Sequence, residues 1–219
     1  DDIYVGSNDL KQLFSTWDTI LSRFHQSDLR LSPSKTEILP AKTNILGWVW
    51  TNGSLSVSPH YISSLSKSEL PTTVKSLRSY LGAYKIVARC LKRCSQYLAP
   101  LEKLSAGKQS ADKIPWDPKH ISIFKASQEH INKCCPITIP ARSEKLWIIT
   151  DACSSNSGIA ATLMTTENLN GDKDPKIASF FSAKLKNGQD RWLPCEIECL
   201  AISAAINHFR PFILYSHHQ

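Results

Sequence analysis

This sequence is short of several things, and each shortage narrows its class. No apolar run approaches the roughly 18–20 residues that a membrane-spanning helix needs. The N-terminus lacks the basic and apolar regions of a secretory signal. These absences imply an intracellular protein, cytoplasmic or nuclear, with no membrane partner. No CxxC pair occurs among the seven cysteines, an odd number. Cys90/Cys94 and Cys195/Cys199 sit i,i+4 as on a helix face, and a zinc site would have to borrow His217 and His218. The plainer reading is reduced thiols with neither metal nor disulfide role. Internal repeats and low-complexity tracts are also missing. No methionine precedes Asp1-Asp2, and "FRPFILYSHHQ" closes as abruptly, so both ends read as cut from something longer.

What is present is enough for a core: 219 residues, 42% of them hydrophobic, hold one large domain or two small ones. The net charge of +7 is uneven. Between Lys67 and Lys145 there are 15 Lys/Arg against 6 Asp/Glu, and the remainder is slightly acidic. A basic middle points to a polyanion-facing surface, nucleic acid by default, or to an ordinary solvated face.

Residues 2–5 read as the end of a strand, followed by a turn at Gly6–Asp9 and an amphipathic helix carrying Leu10, Leu13, Phe14, Trp17, Ile20, Leu21 and Phe24. "NILGWVWTNGSLSVSP" is a hairpin around Asn52-Gly53. A single helix is expected from Pro71 to Cys94, with Val74, Leu77, Leu81, Tyr84, Ala88 and Leu91 on its apolar stripe. Arg78, Lys85, Arg89 and Lys92 line the adjacent stripe, the form a helix needs to lie along a phosphate backbone. The polar stretch at 105–118 is the best candidate boundary, and a short helix follows from about Pro118 to Lys133. "KLWIIT", "IAATLM" and "KIASFFSAKL" read as three strands, and "PCEIECLAISAAINHF" as a helix with Pro194 in its first turn.

Asp151 stands where the first of these strands is expected to stop, and Glu196 and Glu198 on the first turns of the last helix. Clustered carboxylates bind Mg²⁺ or Mn²⁺ because hard cations prefer oxygen. Two such ions serve phosphodiester hydrolysis. A strand-end aspartate is also a common turn residue, and the helix dipole favours glutamate in a first turn.

Four stretches in order resemble the pol polyprotein of LTR retrotransposons of the Gypsy or Bel/Pao kind. "DDIYVGS" resembles the end of the polymerase YxDD motif. "LRLSPSKTEILPAKTNILGWVWTNGSL" resembles the following palm segment and primer grip. "LPTTVKSLRSYLGAYKIVARCLKRCSQYLAPLEKL" resembles the thumb and connection. "LWIITDACSSNSGIAATL", with "SAKLKNGQDRWLPCEIECLAISAAINHFRPFI", resembles the start of the ribonuclease H domain. The resemblance implies that Asp1 and Asp2 are metal-binding carboxylates of the polymerase site. It places Lys35 near the incoming nucleotide, and Leu46, Gly47 and Trp48 in the primer grip. It makes Asp151 and Glu198 metal ligands of the ribonuclease H site, with Glu196 the nearby alternative. The cofactor implied is Mg²⁺ or Mn²⁺, and the partner an RNA–DNA hybrid or template–primer duplex.

The expected fold is α+β: a palm remnant with a β-hairpin over 1–66, a helical thumb and connection over 67–140, and a ribonuclease H-like α/β domain over 141–219, truncated at its C-terminus. Further polymerase and ribonuclease H segments, including the third ribonuclease H carboxylate, are expected on the parent polyprotein. The reading is a fragment of a reverse transcriptase and ribonuclease H, with neither activity expected of the isolated chain. The alternative is a non-catalytic nucleic-acid-binding module derived from a retroelement.

Overall fold

A computed structural model describes residues 3–7, 9–153, 158–167, 175–186 and 188–217. The chain divides into two compact units, residues 1–40 and 41–219.

In the first unit, residues 3–5 form no strand. The run has strand-like composition, but a strand needs a pairing partner, and none of the sheets includes it. Helix α1 (Leu10–Gln26) forms as expected. The Asp9 carboxylate accepts from the Lys11 and Gln12 amides and caps it. A single 3₁₀ turn, Pro33–Lys35, follows.

The second unit opens with two consecutive hairpins. Strands β1 (Lys42–Ile45), β2 (Trp48–Thr51) and β3 (Ser54–Val57) pair antiparallel, and β4 (Ile137–Thr138) adds to β3. The Asn52-Gly53 turn is the expected one, with both φ angles positive (46° and 77°). Leu46-Gly47 is a second such turn (48° and 84°). Two-residue turns with positive φ at both positions match the natural twist of the strands they join.

Helix α2 (Pro59–Ser66) starts on Ser58, whose hydroxyl accepts from the Tyr61 amide. Helix α3 (Val74–Val87) starts on a reciprocal Thr73–Ser76 capping box, a feature worth about 1 kcal/mol. It buries Val74, Leu77, Tyr80, Leu81, Tyr84 and Val87. The single helix expected through Cys94 is broken. After α3 come a 3₁₀ turn at Ala88–Cys90, an extended Leu91 and Arg93 at φ +54°, before α4 (Ser95–Ser105) begins. The cause is tertiary. The Cys135 amide donates to the Cys90 carbonyl (3.1 Å), and the Ser95 amide donates to the Ser182 hydroxyl (3.0 Å). Backbone groups that a continuous helix would use are taken by neighbours.

The 105–118 stretch is not a linker. Amides of Val74 and Lys75 donate to the carbonyls of Asp112 and Ser110, and the Trp116 indole donates to the Pro71 carbonyl (2.7 Å). Helix α5 (Pro118–Ile131), capped by Asp117, completes the helical core. Two buried polar pairs join it to α3: Tyr80 with Ser127, and Tyr84 with Nδ1 of His130, each at 2.7 Å.

Strands β5 (Lys145–Cys153), β6 (Gly158–Thr166) and β7 (Lys176–Lys184) form an antiparallel sheet in that order. Helix α6 (Pro194–Tyr215) lies on one face through Ile197, Ala201, Ala205 and Phe209, packed against Leu146, Ile148, Ile159, Ala161 and Leu163. The expected three strands and helix are therefore present. Helix α6 is long and apolar enough by length and composition to cross a bilayer, although one stripe of it covers this sheet. The architecture is α+β.

Candidate nucleic-acid interface and carboxylate site

The first site gathers residues far apart in sequence. The Leu46-Gly47 turn ends the β1–β2 ladder at the Ile45–Trp48 pair. Leu46 is 84% exposed although its backbone is left-handed, a conformation costing a branched residue about 1 kcal/mol. The side chain gains nothing from burial in return. Trp48 projects toward the end of α3, where the Arg89 guanidinium carbon lies 5.8 Å from its ring centroid. Lys92 similarly holds its ammonium 5.7 Å from the Phe180 ring. Both cations are exposed, so each rests on an aromatic face while presenting charge to solvent.

The other two members of the basic stripe have partners in the chain. Arg78 donates through Nη2 to the carbonyls of Ser105 (3.0 Å) and Lys108 (2.8 Å), which closes the C-terminal end of α4. Lys85 pairs with Glu102 of α4. The stripe thus changes role along its length. Its first half ties α3 to α4; of its second half, Arg89 lies over Trp48 and Lys92 over Phe180 of β7.

The second site is on the sheet. Asp151 lies within β5, two residues before its end, opposite Ala160. Alternation puts it with Trp147 and Ile149, on the face away from α6, and all three are exposed. Glu198 is exposed on the second turn of α6. Glu196 is engaged: its Oε2 accepts from the Leu193 amide (2.8 Å) at the helix start. Among the described residues, no three His, Cys, Asp or Glu side chains converge as a metal-holding group. Asp1 and Asp2 lie outside the described residues. Lys35, in the first unit, is exposed at the end of its 3₁₀ turn.

The sequence alone did not reveal the Trp48–Arg89 contact or the ring that packs beneath Gly47, which belongs to Tyr61. The sole local signal was a glycine one residue after a β-rich run. No pattern within one helix could disclose that carbonyls of α4 occupy Arg78.

Comparison with known proteins now gives these sites a context. A profile described as an RNase H-like domain found in reverse transcriptase matches residues 116–219. The Retrovirus-related Pol polyprotein from transposon opus of Drosophila melanogaster is 23% identical over 234 residues, covering 100% of this chain and 23% of the relative. The Pol polyprotein of Feline endogenous virus ECE1 is 24% identical over 195 residues, covering 89% of this chain and 18% of the relative. The chain thus spans less than a quarter of the length of these relatives. The foamy viral protease-reverse transcriptase solved with dsDNA superposes with a TM-score of 0.77 at 15% identity, over 96% of this chain and 44% of that one. The same enzyme solved with an RNA/DNA hybrid gives 0.76 at 15% identity, over 95% and 28%. At that identity the superposition speaks for the fold. Residues 116–219 thus match the RNase H-like domain found in reverse transcriptase, and the chain along its length is similar to the Pol polyproteins of retrotransposons and retroviruses.

Proposed function

We propose that this chain is the part of a reverse transcriptase that grips a nucleic-acid duplex and leads it to a ribonuclease H site. Its segments are a palm end and grip hairpin over 1–66, a helical thumb and connection over 67–140, and the ribonuclease H-like part over 141–219. One observation carries the reading: the Leu46-Gly47 turn, with Leu46 exposed, continues into Trp48, whose ring meets Arg89 just beyond the end of α3 at 5.8 Å. An apolar tip beside an exposed arginine suits a sugar–phosphate backbone, with Arg89 and, farther along the same segment, Lys92 proposed at phosphates and Leu46 against sugars. Arg78 and Lys85 tie α3 to α4, and Lys35 is proposed for contact with the incoming nucleotide at the polymerase site. Solved relatives of the same fold hold dsDNA and an RNA/DNA hybrid, and the partner proposed here is of that class.

Asp151 and Glu198 are the proposed carboxylates of the hydrolytic site. Both offer the oxygen donors that Mg²⁺ or Mn²⁺ prefer, and a bound ion would supply water activation there; in this structure Asp151 stands on the sheet face away from α6, so the described residues alone do not bring the two carboxylates together. Asp1 and Asp2 are proposed for the same chemistry at the polymerase site. Full activity of either kind is proposed for the whole Pol protein, and binding is the function expected to persist in this chain. The test is a labelled RNA–DNA hybrid assayed for binding and, with Mg²⁺ or Mn²⁺, for cleavage. Binding that falls steeply with salt, with any cleavage abolished by Asp151→Asn and Glu198→Gln, supports the proposal. A chain that does not bind the hybrid at low salt refutes it.

A further inference from the structure

Two turns of one type lie at the two ends of β2, and only one has a side chain packed beneath its glycine. A Cβ built on Gly53 would meet nothing within 4 Å, whereas one on Gly47 would lie 3.3 Å from Cδ2 of Tyr61. The Tyr61 ring therefore fills the space under the Leu46-Gly47 turn. Its hydroxyl donates to the Ala83 carbonyl of α3 (3.3 Å). Beside it, the Ser58 amide donates to the Gly47 carbonyl (2.9 Å), and the Ser58 hydroxyl accepts from the Tyr61 amide (3.2 Å). Partial burial raises the phenol above its ordinary value, which keeps it a donor at neutral pH. Turn, α2 and α3 are thus joined through one side chain. The other turn, Asn52-Gly53, uses the residue pair best suited to its shape; the Ile139 amide donates to its Gly53 carbonyl (3.0 Å), but no side chain fills the space under Gly53. Leu46 is poorly suited to its left-handed backbone, so its turn needs outside support to keep one geometry.

We infer that Tyr61 is the positioning residue of the grip: its ring under Gly47 and its bond to α3 fix where Leu46 and Trp48 stand relative to Arg89. This rests on the proposed duplex-binding reading. Tyr61 touches no nucleic acid in this account and acts only through the turn. Removing it should lower affinity without removing a phosphate contact. That pattern separates positioning from charge, because losing a phosphate contact reduces the salt slope by about one.

The test uses the full chain and a fluorescein-labelled RNA–DNA hybrid, read by anisotropy across a salt series, with amide hydrogen exchange measured in parallel. Tyr61→Ala should bind about tenfold more weakly with an unchanged salt slope. Exchange should quicken over residues 42–58 and stay as in the wild type over 74–105. Tyr61→Phe keeps the ring and loses the bond to Ala83, so its loss should be about twofold. Arg89→Ala should lower the salt slope and leave exchange unaltered. Wild-type affinity in Tyr61→Ala overturns the inference, as does faster exchange spread evenly through 74–105. If the wild-type chain binds no hybrid, the duplex reading fails separately. The brace is then judged on exchange, and unchanged exchange over 42–58 in Tyr61→Ala overturns it.

Discussion

Replacing Tyr84 with phenylalanine tests the core that carries the basic end of α3. The Tyr84 ring is wholly buried, and its hydroxyl lies 2.7 Å from Nδ1 of His130, itself only 9% exposed. Burial raises the Tyr84 phenol and lowers His130, the latter helped by the Lys133 charge. Both shifts favour a neutral phenol donating to a neutral imidazole. Tyr84→Phe leaves Nδ1 buried without a donor, which costs about 1–3 kcal/mol. At a urea slope of about 2 kcal/mol/M, the midpoint should fall by about 1 M.

The pair also makes stability depend on pH. His130 has its folded pKa depressed, so below about pH 6.5 the unfolded chain takes up a proton that the folded chain resists. Stability is therefore full above that pH and declines as pH drops toward the folded value. His208 is shifted the same way by burial and by Arg89, and adds to the slope. His130→Gln offers an acceptor to Tyr84 without titrating, so it should shrink the decline between pH 7.5 and 5.5 but not remove it. Urea melts followed by far-UV circular dichroism at the two pH values measure both effects. A Tyr84→Phe midpoint within about 0.2 M of wild type would refute the reasoning about an orphaned nitrogen. An unchanged pH slope in His130→Gln would refute the proton accounting.

Two other substitutions separate support from contact. Arg78→Ala should lower thermal stability by removing both carbonyl contacts at the end of α4, with little effect on the salt slope of hybrid binding. Arg89→Glu should weaken binding with a small change in melting temperature, and the reverse pattern would reassign the two arginines. Phe209→Ala removes a fully buried ring between α6 and the sheet. It should cost about 3–5 kcal/mol, read as a lower urea midpoint.

Local chemistry was legible in the sequence, and long-range chemistry was not. Asn52-Gly53 announced its hairpin because that dipeptide tolerates positive φ at both positions. Leu46-Gly47 did not, because leucine there is held by tertiary contacts such as the Tyr61 ring. The apolar stripe of α3 came through because burial obeys helical spacing. The break after Val87 did not, since no proline or glycine marks it and the groups that impose it, in Cys135 and Ser182, are distant in sequence. The basic stripe held as helical periodicity only for Arg78 and Lys85, because the helix ends at Val87 before Arg89 and Lys92. Which of its members were engaged depended on α4, outside the helix being read. Asp151 was expected where its strand stops, but β5 runs on to Cys153, paired with Gly158 of β6. The face of Asp151 followed only from the register with β6.

Strand β7 has a consequence for the spacing of the two candidate sites. One of its faces receives α6 through Ala178 and Phe181. The other meets the helical segment, through Phe180 beneath Lys92, Ser182 at the start of α4, and Ile177 in the helical core. Among the described residues, the Leu46-Gly47 turn and Asp151 belong to one compact unit and are linked through packing on both faces of β7. The offset between that turn and Asp151 is therefore written in side-chain packing. Changing that offset would require rebuilding β7 rather than lengthening a loop.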